Sequence, residues 1–416
     1  MTTRREHSQL SAALVLLCFV LLTLVGCKEE PPVSLYDPNA AAAATPSITS
    51  IAPPSGTALA GVTDVTITGA NFSPVMQNNY VYFDASPATV LQASATELRV
   101  TPPNVVKDSI KVRVAVVGSV PFSNTMLYEL KPAAEDVGGI ESFEVPYGIA
   151  CDTAGNVYVS LIARGVGAGV KKITPDGVRS DFSPAFSSSV NKWNGMKVGS
   201  GGFMYALARN AIFRIPMAGG NAAAWAANVI PNPGLANDLD FDASGNIWVG
   251  GSGSTVFSRV RVSDKNVKSF PFNGDVRSVR VYDGYVYLGA LLDSVEGVWR
   301  FRIVSPDSIG AREEYFNLTS VYGAGKGSVY AVTFAADGDM YLGTDHADGI
   351  RVVHPSKNSE PLYPGVLQPR SLSFAWGTGP YLYVSRNGGV VNSVSVANSV
   401  VKINMQKTSA PYYGWQ

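Results

Sequence analysis

The sequence predicts an all-β protein in which a small β-sandwich is followed by a six-bladed β-propeller. Residues 46–131 hold several short runs of alternating apolar and polar residues, separated by turn residues. From residue 140 onward one strand–turn–strand pattern returns six times, at about 46 residues per copy, the size of a four-stranded propeller blade. Hydrophobic residues make up 46% of the 416 residues and charged residues only 15%, so the chain can bury a sizeable core.

The first 26 residues have the pattern of an export signal rather than of a folded element. Arg4 and Arg5 precede an apolar run from Leu10 to Val25, which is short for a membrane-spanning helix of roughly 20 residues. The run ends in Leu24-Val25-Gly26-Cys27, which resembles the lipobox of bacterial lipoproteins. In that family the signal is cut before the cysteine, whose thiol receives a diacylglycerol. The resemblance implies lipidation at Cys27; the alternative is an ordinary signal peptide with an incidental cysteine.

Residues 27–45 are predicted to tether the folded part to a membrane. Lys28-Glu29-Glu30 resembles the export signal on surface lipoproteins of some Gram-negative bacteria, although a solvated charged tether has the same composition. The run from Pro31 to Thr45, rich in proline and alanine, is typical of a spacer. We therefore expect a protein of the cell envelope, lipid-anchored to the outer membrane and exposed at the cell surface.

Residues 46–131 show the spacing of short strands in a sandwich, with alternating runs at Val65–Thr68, Tyr80–Phe83 and Ile110–Val116. The opening run Pro46 to Gly56 and the later Gly69-Ala70-Asn71-Phe72 and Thr101-Pro102-Pro103 resemble the IPT/TIG family of immunoglobulin-like domains. Asp84 departs from that family, which often has glycine there. The resemblance implies an immunoglobulin-like β-sandwich that acts as a spacer or a partner-binding module, not as a catalyst.

Residues 140–416 repeat a strand, an Asp/Gly turn and a strand with an anchoring aromatic residue. The aromatic positions are Tyr158, Tyr205, Trp248, Tyr287, Tyr341 and Tyr383. This pattern resembles the NHL and gluconolactonase-like six-bladed propellers. The resemblance implies the fold, whereas propellers host many unrelated activities.

Closing the ring requires a strand from the far end of the chain. Residues 140–145 resemble residues 267–272, and both segments run directly into an inner strand. We therefore expect residues 140–145 to complete the last blade, after a linker at residues 132–139. The competing closing segment is residues 410–415.

The residues just before each inner strand are expected to ring the mouth of the central channel. Two arginines among polar and aromatic groups can bind a carboxylate or sugar hydroxyls; alternatively, they pair with carboxylates of neighbouring blades and plug the channel. Trp193 stands beside Asn194, where a sugar ring could stack, although packing between blades is the plainer interpretation. The candidate ligand-binding residues of this face are Tyr147, Trp193, Asn194, Asn237, Asp238, Arg277, Tyr330, Arg370 and Arg386.

The loops that follow the aromatic strands reach the same face and carry the charged candidates. Asp345 and His346 form the only carboxylate–histidine cluster and are weak candidates for metal ligands, since Asp-rich loops ending in glycine are usually turns. No other metal ligand, no catalytic residue and no cofactor is predicted. Other charged residues of these loops are Arg164, Arg209, Asp293, Glu296 and Asp348.

The resemblance to gluconolactonase-like enzymes implies a second possible function, metal-dependent lactone hydrolysis. Carried over, Glu144 matches the family's first ligand loosely, and Asn194-Gly195 and Asn237-Asp238 match two further steps. The family's aspartate, which is also its general base, has no counterpart, because Tyr330-Ala331 stands where Asp-Gly is expected. Loss of that group removes the means of activating water.

The expected function is therefore non-catalytic binding of a glycan or a protein partner at the cell surface. The alternatives are a lactonase-type hydrolase and a purely structural scaffold. Nucleic acid is not an expected partner, because 32 basic side chains are balanced by 32 acidic ones and leave no surplus to neutralise phosphates.

Overall fold

A computed structural model describes residues 42–391 and 393–415. The predicted signal segment, Cys27 and most of the tether lie outside these residues. The described part is almost entirely β-structure, with helical turns at Met76–Asn78, Thr319–Tyr322 and Tyr413–Trp415. Within the described ranges no helix has the length and apolarity needed to cross a membrane. The predicted all-β fold class is confirmed.

The first domain is a sandwich of two four-stranded sheets, ordered β1-β2-β6-β5 and β4-β3-β7-β8. Its inward side chains are fully buried, as at Ile67, Phe83, Leu98 and Ile110, which is why apolar and polar residues alternate along the strands. The strands are β1 Ser47–Ala52, β2 Val65–Ala70, β3 Asn79–Phe83, β4 Ser86–Pro87, β5 Thr89–Ala93, β6 Glu97–Thr101, β7 Lys107–Val116 and β8 Met126–Leu130.

The second domain is a ring of six antiparallel blades. Blade 1 consists of β10 Glu144–Cys151, β11 Val157–Ala163, β12 Val166–Ile173 and β13 Arg179–Ser183. Blade 2 consists of β14 Met196–Gly199, β15 Phe203–Ala208, β16 Ala211–Pro216 and β17 Ala223–Ala226. Blade 3 consists of β18 Leu235–Phe241, β19 Ile247–Ser252, β20 Val256–Val260 and β21 Val267–Pro271. Blade 4 consists of β22 Asp275–Tyr282, β23 Tyr285–Leu292, β24 Val295–Ser305, β25 Ser308–Ile309 and β26 Glu313–Asn317. Blade 5 consists of β27 Val329–Phe334, β28 Met340–Thr344, β29 Ile350–Val353 and β30 Ser359–Pro361. Blade 6 consists of β31 Ser371–Trp376, β32 Tyr381–Arg386 and β35 Ser399–Asn404, and its outer strand, β9 Ala134–Val137, comes from the start of the domain. A small hairpin, β33 Gly389–Val391 with β34 Val394–Val396, is inserted in blade 6.

The strand that closes the ring is β9, which pairs antiparallel with β35. The prediction that residues 140–145 close it is wrong, as is the competing segment 410–415. Gly138 and Gly139 both have positive φ, at 73° and 53°, and turn the chain from β9 into β10 within a few residues. The similarity of residues 140–145 to residues 267–272 therefore reflects a shared approach to an inner strand, and the outer strand lies inside the segment predicted as a linker.

The aspartate of the repeated motif has a structural role that explains its recurrence. In blade 3 the Asp242 carboxylate accepts hydrogen bonds from the backbone N–H groups of Ser244 and Asn246 and from Nε1 of Trp248 at 2.9 Å. Blade 1 repeats this arrangement with Asp152 and the Tyr158 hydroxyl. The motif thus closes a tight turn and fixes the anchoring aromatic side chain in the core.

The last residues of the chain cover the tail face of the ring, opposite the mouth face, where the inner strands begin. Residues 405–415 cross the tail face, where Arg280 donates to the carbonyl of Pro411 at 3.1 Å and the backbone N–H of Ala410 donates to Phe334 at 2.9 Å. The hydroxyl of Tyr412 donates to the carbonyl of Val198. Any ligand of the channel axis therefore has to enter from the mouth face.

Candidate functional site

β-Bulges place the predicted mouth residues. The register of the inner strand shifts beside Asn237, Arg277 and Tyr330 in blades 3, 4 and 5, and a bulge re-aims the side chain at which it occurs. In blade 6 the shift falls between Ser371 and Ser373. Leu372 is therefore the counterpart of these residues, and Arg370 precedes the strand.

The mouth side chains connect neighbouring blades. Asn194 donates from Nδ2 to the carbonyl of Ala236 at 3.1 Å, and Asn237 donates to Val276 at 2.8 Å. Arg277 donates in the same way to Val329 at 3.2 Å. Each acceptor is the residue just before the mouth residue of the next blade, where the bulge interrupts the strand ladder. A side chain from one blade thus satisfies a carbonyl of the next.

Arg277 is engaged by carboxylates of its own blade. Its guanidinium lies 2.9–3.1 Å from the carboxylate oxygens of Glu296 and 2.9 Å from Asp275. Glu296 also accepts the backbone N–H of Val329 at 3.2 Å. With two carboxylate partners besides the inter-blade carbonyl, the guanidinium is committed to contacts within the protein. This differs from the plug expected from the sequence in one respect, because both carboxylates belong to the blade of Arg277 and not to a neighbouring blade.

Asp238 belongs to a second inter-blade chain of hydrogen bonds. Its carboxylate accepts from Ser278 Oγ at 3.0 Å and from the backbone N–H groups of Leu239 and Val279 at 2.9 Å. Ser278 Oγ in turn accepts from Val332 N–H at 3.0 Å. Burial raises the pKa of the Asp238 carboxyl above its ordinary value, although the hydrogen bonds and Lys197 oppose this shift. This side chain therefore holds blades 3, 4 and 5 together.

Arg386, Trp193 and Tyr147 also have partners inside the protein, whereas Nε of Arg370 is buried without a hydrogen-bond partner among the described residues. Arg386 forms a 3.0 Å ion pair with Asp136 of the closing strand β9. Arg370, at φ 71°, packs against Gly389, where a Cβ atom would come within 2.5 Å of the guanidinium. Trp193 is 2% exposed and packs in the core. The Tyr147 ring receives the Lys192 ammonium 3.8 Å from its centroid.

The space left at the mouth is small. The depression between Asn194, Asn237, Arg277 and Tyr330 holds about 30 Å³, which is room for only a few water molecules. A sugar ring does not fit this space without displacement of the side chains that connect the blades.

The residues carried over from the lactonase resemblance are used for other contacts. Glu144 forms a 2.6 Å ion pair with Arg179 on the outer strand of blade 1, and the amides of Asn194 and Asn237 donate to the carbonyls described above. In the other candidate cluster, Asp345 accepts the N–H of Ser328 at 2.7 Å, and the His346 ring stacks on Tyr322 with centroids 3.7 Å apart. Within the described ranges no three His, Cys, Asp or Glu side chains are grouped to hold a metal ion.

A larger concavity opens on the mouth face between blades 3 and 4, and we call it the blade 3–4 cleft. It is a wide, solvent-open concavity of about 690 Å³, a volume within the range of small-molecule sites. Asp293 and Ser294 turn β23 into β24 with φ of 49° and 66°, a two-residue hairpin turn that raises one rim. The lining residues are Pro231, Asn232, Pro233, Ser252, Gly253, Ser254, Thr255, Asn273, Gly274, Asp275, Leu291, Asp293 and Ser294.

Polar groups on the cleft rim are available to a ligand. The side chains of Asn232, Asn273 and Thr255 are exposed, and none takes part in the side-chain hydrogen bonds found among the described residues, nor does the Asp293 carboxylate in their ion pairs. Amide and hydroxyl groups both donate and accept. Of these residues, the sequence analysis named only Asp293. The small-residue run Gly250-Gly251-Ser252-Gly253-Ser254 and the segment Pro231-Asn232-Pro233-Gly234 indicate loops, but neither by itself indicates a cleft.

Comparison with known proteins identifies the first domain and agrees with the overall fold. The IPT/TIG domain model matches residues 46–129, which confirms the resemblance drawn from the sequence. A candidate phosphatase of Bacteroides thetaiotaomicron is similar in structure, with a TM-score of 0.55 at 12% identity, over 89% of this chain and 98% of its own. A protein of unknown function from the same species has a TM-score of 0.50 at 15% identity, over 88% and 98%.

A weaker similarity links the chain to an auxiliary nutrient-binding protein of Bacteroides ovatus. The TM-score is 0.46 at 11% identity, over 88% of this chain and 99% of the other. At these identities the first two similarities establish the fold alone, and the third carries no argument about function. A search of curated proteins found no match to this sequence.

Proposed function

We propose that this protein is a lipid-anchored envelope protein that binds a glycan in the blade 3–4 cleft without transforming it. The observation that carries the proposal is the cleft itself, which combines about 690 Å³ of space with exposed amide, hydroxyl and carboxylate groups that have no partner among the described side chains. The channel mouth, by contrast, is filled by the protein's own contacts. The ligand site is thus displaced from the predicted ring to the neighbouring loops of the same face.

The composition of the cleft favours a hydroxyl-rich ligand. Sugar hydroxyls donate and accept hydrogen bonds, and the amides of Asn232 and Asn273 with the hydroxyl of Thr255 offer both functions. Pro231, Pro233 and Leu291 supply apolar surface for the C–H faces of a sugar ring. The exposed Asp293 carboxylate favours neutral or amino sugars over acidic ones.

Lactone hydrolysis has less support from the structure. The proposed metal ligands Glu144, Asn194 and Asn237 all make contacts that connect strands or blades. Tyr330 and Ala331 occupy the step where a general base would be needed, and Tyr330 lies over the Arg277 guanidinium at 5.4 Å. These contacts favour binding over catalysis.

The direct test is a glycan array probed with the mature protein, followed by titration of the best ligand. The double variant Asn232→Ala/Asn273→Ala should weaken binding about tenfold or more, since each hydrogen bond contributes roughly 0.5–1.5 kcal/mol. Asn221→Ala is the matched control, because Asn221 is an exposed asparagine in the loop between β16 and β17 at the tail face. Equal affinity of the double variant and the control would exclude the cleft as the binding site.

The membrane attachment is tested separately. Cys27→Ala removes the thiol that the lipobox resemblance marks for lipidation, so the protein should move from the membrane fraction to the soluble fraction. The measurement is detergent phase partitioning of the wild type and the variant. A variant that still partitions with detergent would refute the lipoprotein assignment.

A further inference from the structure

The end of the sandwich farthest from the propeller, which we call the sandwich tip, differs from the rest of the surface. The opposite end meets the propeller, where Gly61 lies against Val366. Between the two ends runs β7, ten residues long, which corresponds to about 33 Å. The tip is formed by residues 42–47, 70–80, 93–97 and 116–125.

The tip exposes an unusual set of apolar side chains. Val120 is 87% exposed and Val117 is 55% exposed. Exposed apolar residues on a soluble protein are usually scattered singly, whereas these two lie in the same loop region of the tip. The exposed apolar residues of the tip are Val75, Met76, Tyr80, Val117, Val120 and Phe122. Backbone hydrogen bonds hold them together, since the N–H of Val117 donates to the carbonyl of Asn78 at 2.9 Å.

Charges are sparse around these residues. The segments 42–50, 71–80 and 114–125 contain no Asp, Glu, Lys or Arg. The nearest charges are Glu97, on the other sheet, and Arg113, whose guanidinium lies over the Phe122 ring at 4.9 Å. An apolar surface with an aromatic rim and little charge is what an interfacial region of a bilayer accepts.

The chain enters the sandwich at this same end. The N–H of Ala43 donates to the carbonyl of Gly118 at 2.8 Å, and Asn71 Nδ2 donates to the carbonyl of Thr45 at 2.8 Å. Residues 28–42 separate this point from Cys27, and fifteen residues span at most about 54 Å. A lipid on Cys27 would therefore attach to the chain at the tip end of the sandwich, which favours contact of the tip with the membrane but does not enforce it.

We infer that the sandwich tip rests on the lipid surface that holds the Cys27 anchor, with Val117, Val120 and Phe122 in the interfacial layer. The inference rests on the lipid anchor of the proposed function. A single lipid chain or anchor permits rotation of the attached domain, whereas a second, apolar contact orients it. With the tip on the membrane, the sandwich lies between the membrane and the propeller and holds the propeller away from the lipid.

The test uses the lipidated protein in protein-free phospholipid vesicles, with an environment-sensitive fluorophore on one introduced cysteine. Val120→Cys probes the tip, Leu127→Cys the middle of the sandwich and Val304→Cys the propeller; all three residues are exposed, at 87%, 62% and 64%. Cys151 is buried, and burial raises the pKa of its thiol, so it does not compete for the label. The unsubstituted protein is the labelling control.

The expected result is a blue-shifted emission that nitroxide lipids quench at position 120, with no shift at position 304 and no more than a small one at position 127. Vesicle flotation with equal, water-like emission at all three positions would overturn the inference and leave the anchor intact. A shift at position 120 in native membranes but not in protein-free vesicles would also overturn it, in favour of a protein partner. Failure to float at all would refute the anchor, and the inference with it.

Discussion

Truncation of Glu296 should destabilise the propeller strongly, because this carboxylate is the main partner of Arg277 at the channel mouth. The side chains of Arg277 and Glu296 are only 17% and 9% exposed, and removal of one partner of a buried pair costs about 3–5 kcal/mol. Glu296→Ala also removes the acceptor of the Val329 N–H, whereas Asp275 remains beside Arg277. We therefore expect a loss of about 3 kcal/mol in the free energy of unfolding, and a Tm lower by about 5–10 °C.

The assay is urea unfolding followed by tryptophan fluorescence. All six tryptophans of the chain, at positions 193, 225, 248, 299, 376 and 415, belong to the propeller, so the signal reports that domain without interference from the sandwich. The double variant Arg277→Ala/Glu296→Ala should lose less stability than the two single variants added together, because the pair is coupled. Asp293→Asn, which removes an exposed charge of the neighbouring turn and keeps a residue type that tolerates its positive φ, should change stability by less than about 0.5 kcal/mol.

An unchanged urea midpoint for the Glu296→Ala variant would refute a stabilising role for the Arg277–Glu296 pair. If the midpoint is unchanged and glycan affinity falls, the mouth residues bind a ligand instead of stabilising the fold. In that case the site of the proposed function would move from the blade 3–4 cleft back to the predicted ring.

Two further predictions concern ring closure and pH. Asp136→Ala should lower the free energy of unfolding of the propeller by about 1–3 kcal/mol, because Arg386 is then buried without its ion pair. The control variant Glu135→Ala removes only the half-exposed partner of Lys402 and should cost about 0.2–1 kcal/mol. Equal urea midpoints for the two variants would contradict the role of β9. The hydrogen bond that His354 Nδ1–H donates to the Asp339 carboxylate raises the pKa of His354 above its ordinary 6.5 despite partial burial. The contribution of this pair to stability is therefore complete below pH 6.5 and is lost as the pH rises through the raised pKa. The difference in stability between the wild type and His354→Gln should therefore shrink as the pH rises from 6 to 9, and a constant difference in thermal melts would contradict this assignment.

Local sequence pattern was sufficient to find the blades, because each blade carries its own turn and anchor. Asp242, Asn246 and Trp248 interact within seven residues of chain, so the motif could be recognised from the sequence alone. The closing strand could not be recognised in this way, because β9 is four residues long and its partner β35 lies more than 250 residues away. Nothing within residues 134–137 specifies that partner, and the nearby alternation at 140–145 gave a stronger local signal.

The candidate site was only partly predictable for a related reason. The alignment of the repeats correctly placed Asn237 and Arg277 at the β-bulges of the mouth. In blade 6 it predicted Arg370, but the bulge of that blade lies at Leu372, two residues later. The partner of Arg277, Glu296, lies at the start of β24, nineteen residues further on. The blade 3–4 cleft is assembled from four loops, and no single one of them contains a recognisable pattern.

Closure by β9 also makes the order of events during folding matter. β9 is synthesised before any blade, yet its partner strand is among the last parts of the chain, and Asp136 and Arg386 are 250 residues apart. Until β9 docks, five blades can form from local contacts while the sixth presents the bare edge of β35, and joining the two ends is the slow, entropically expensive step. During that interval the same edge accepts β9 of another molecule equally well. At high concentration, exchanged dimers joined through blade 6 are therefore the characteristic misassembly of this architecture.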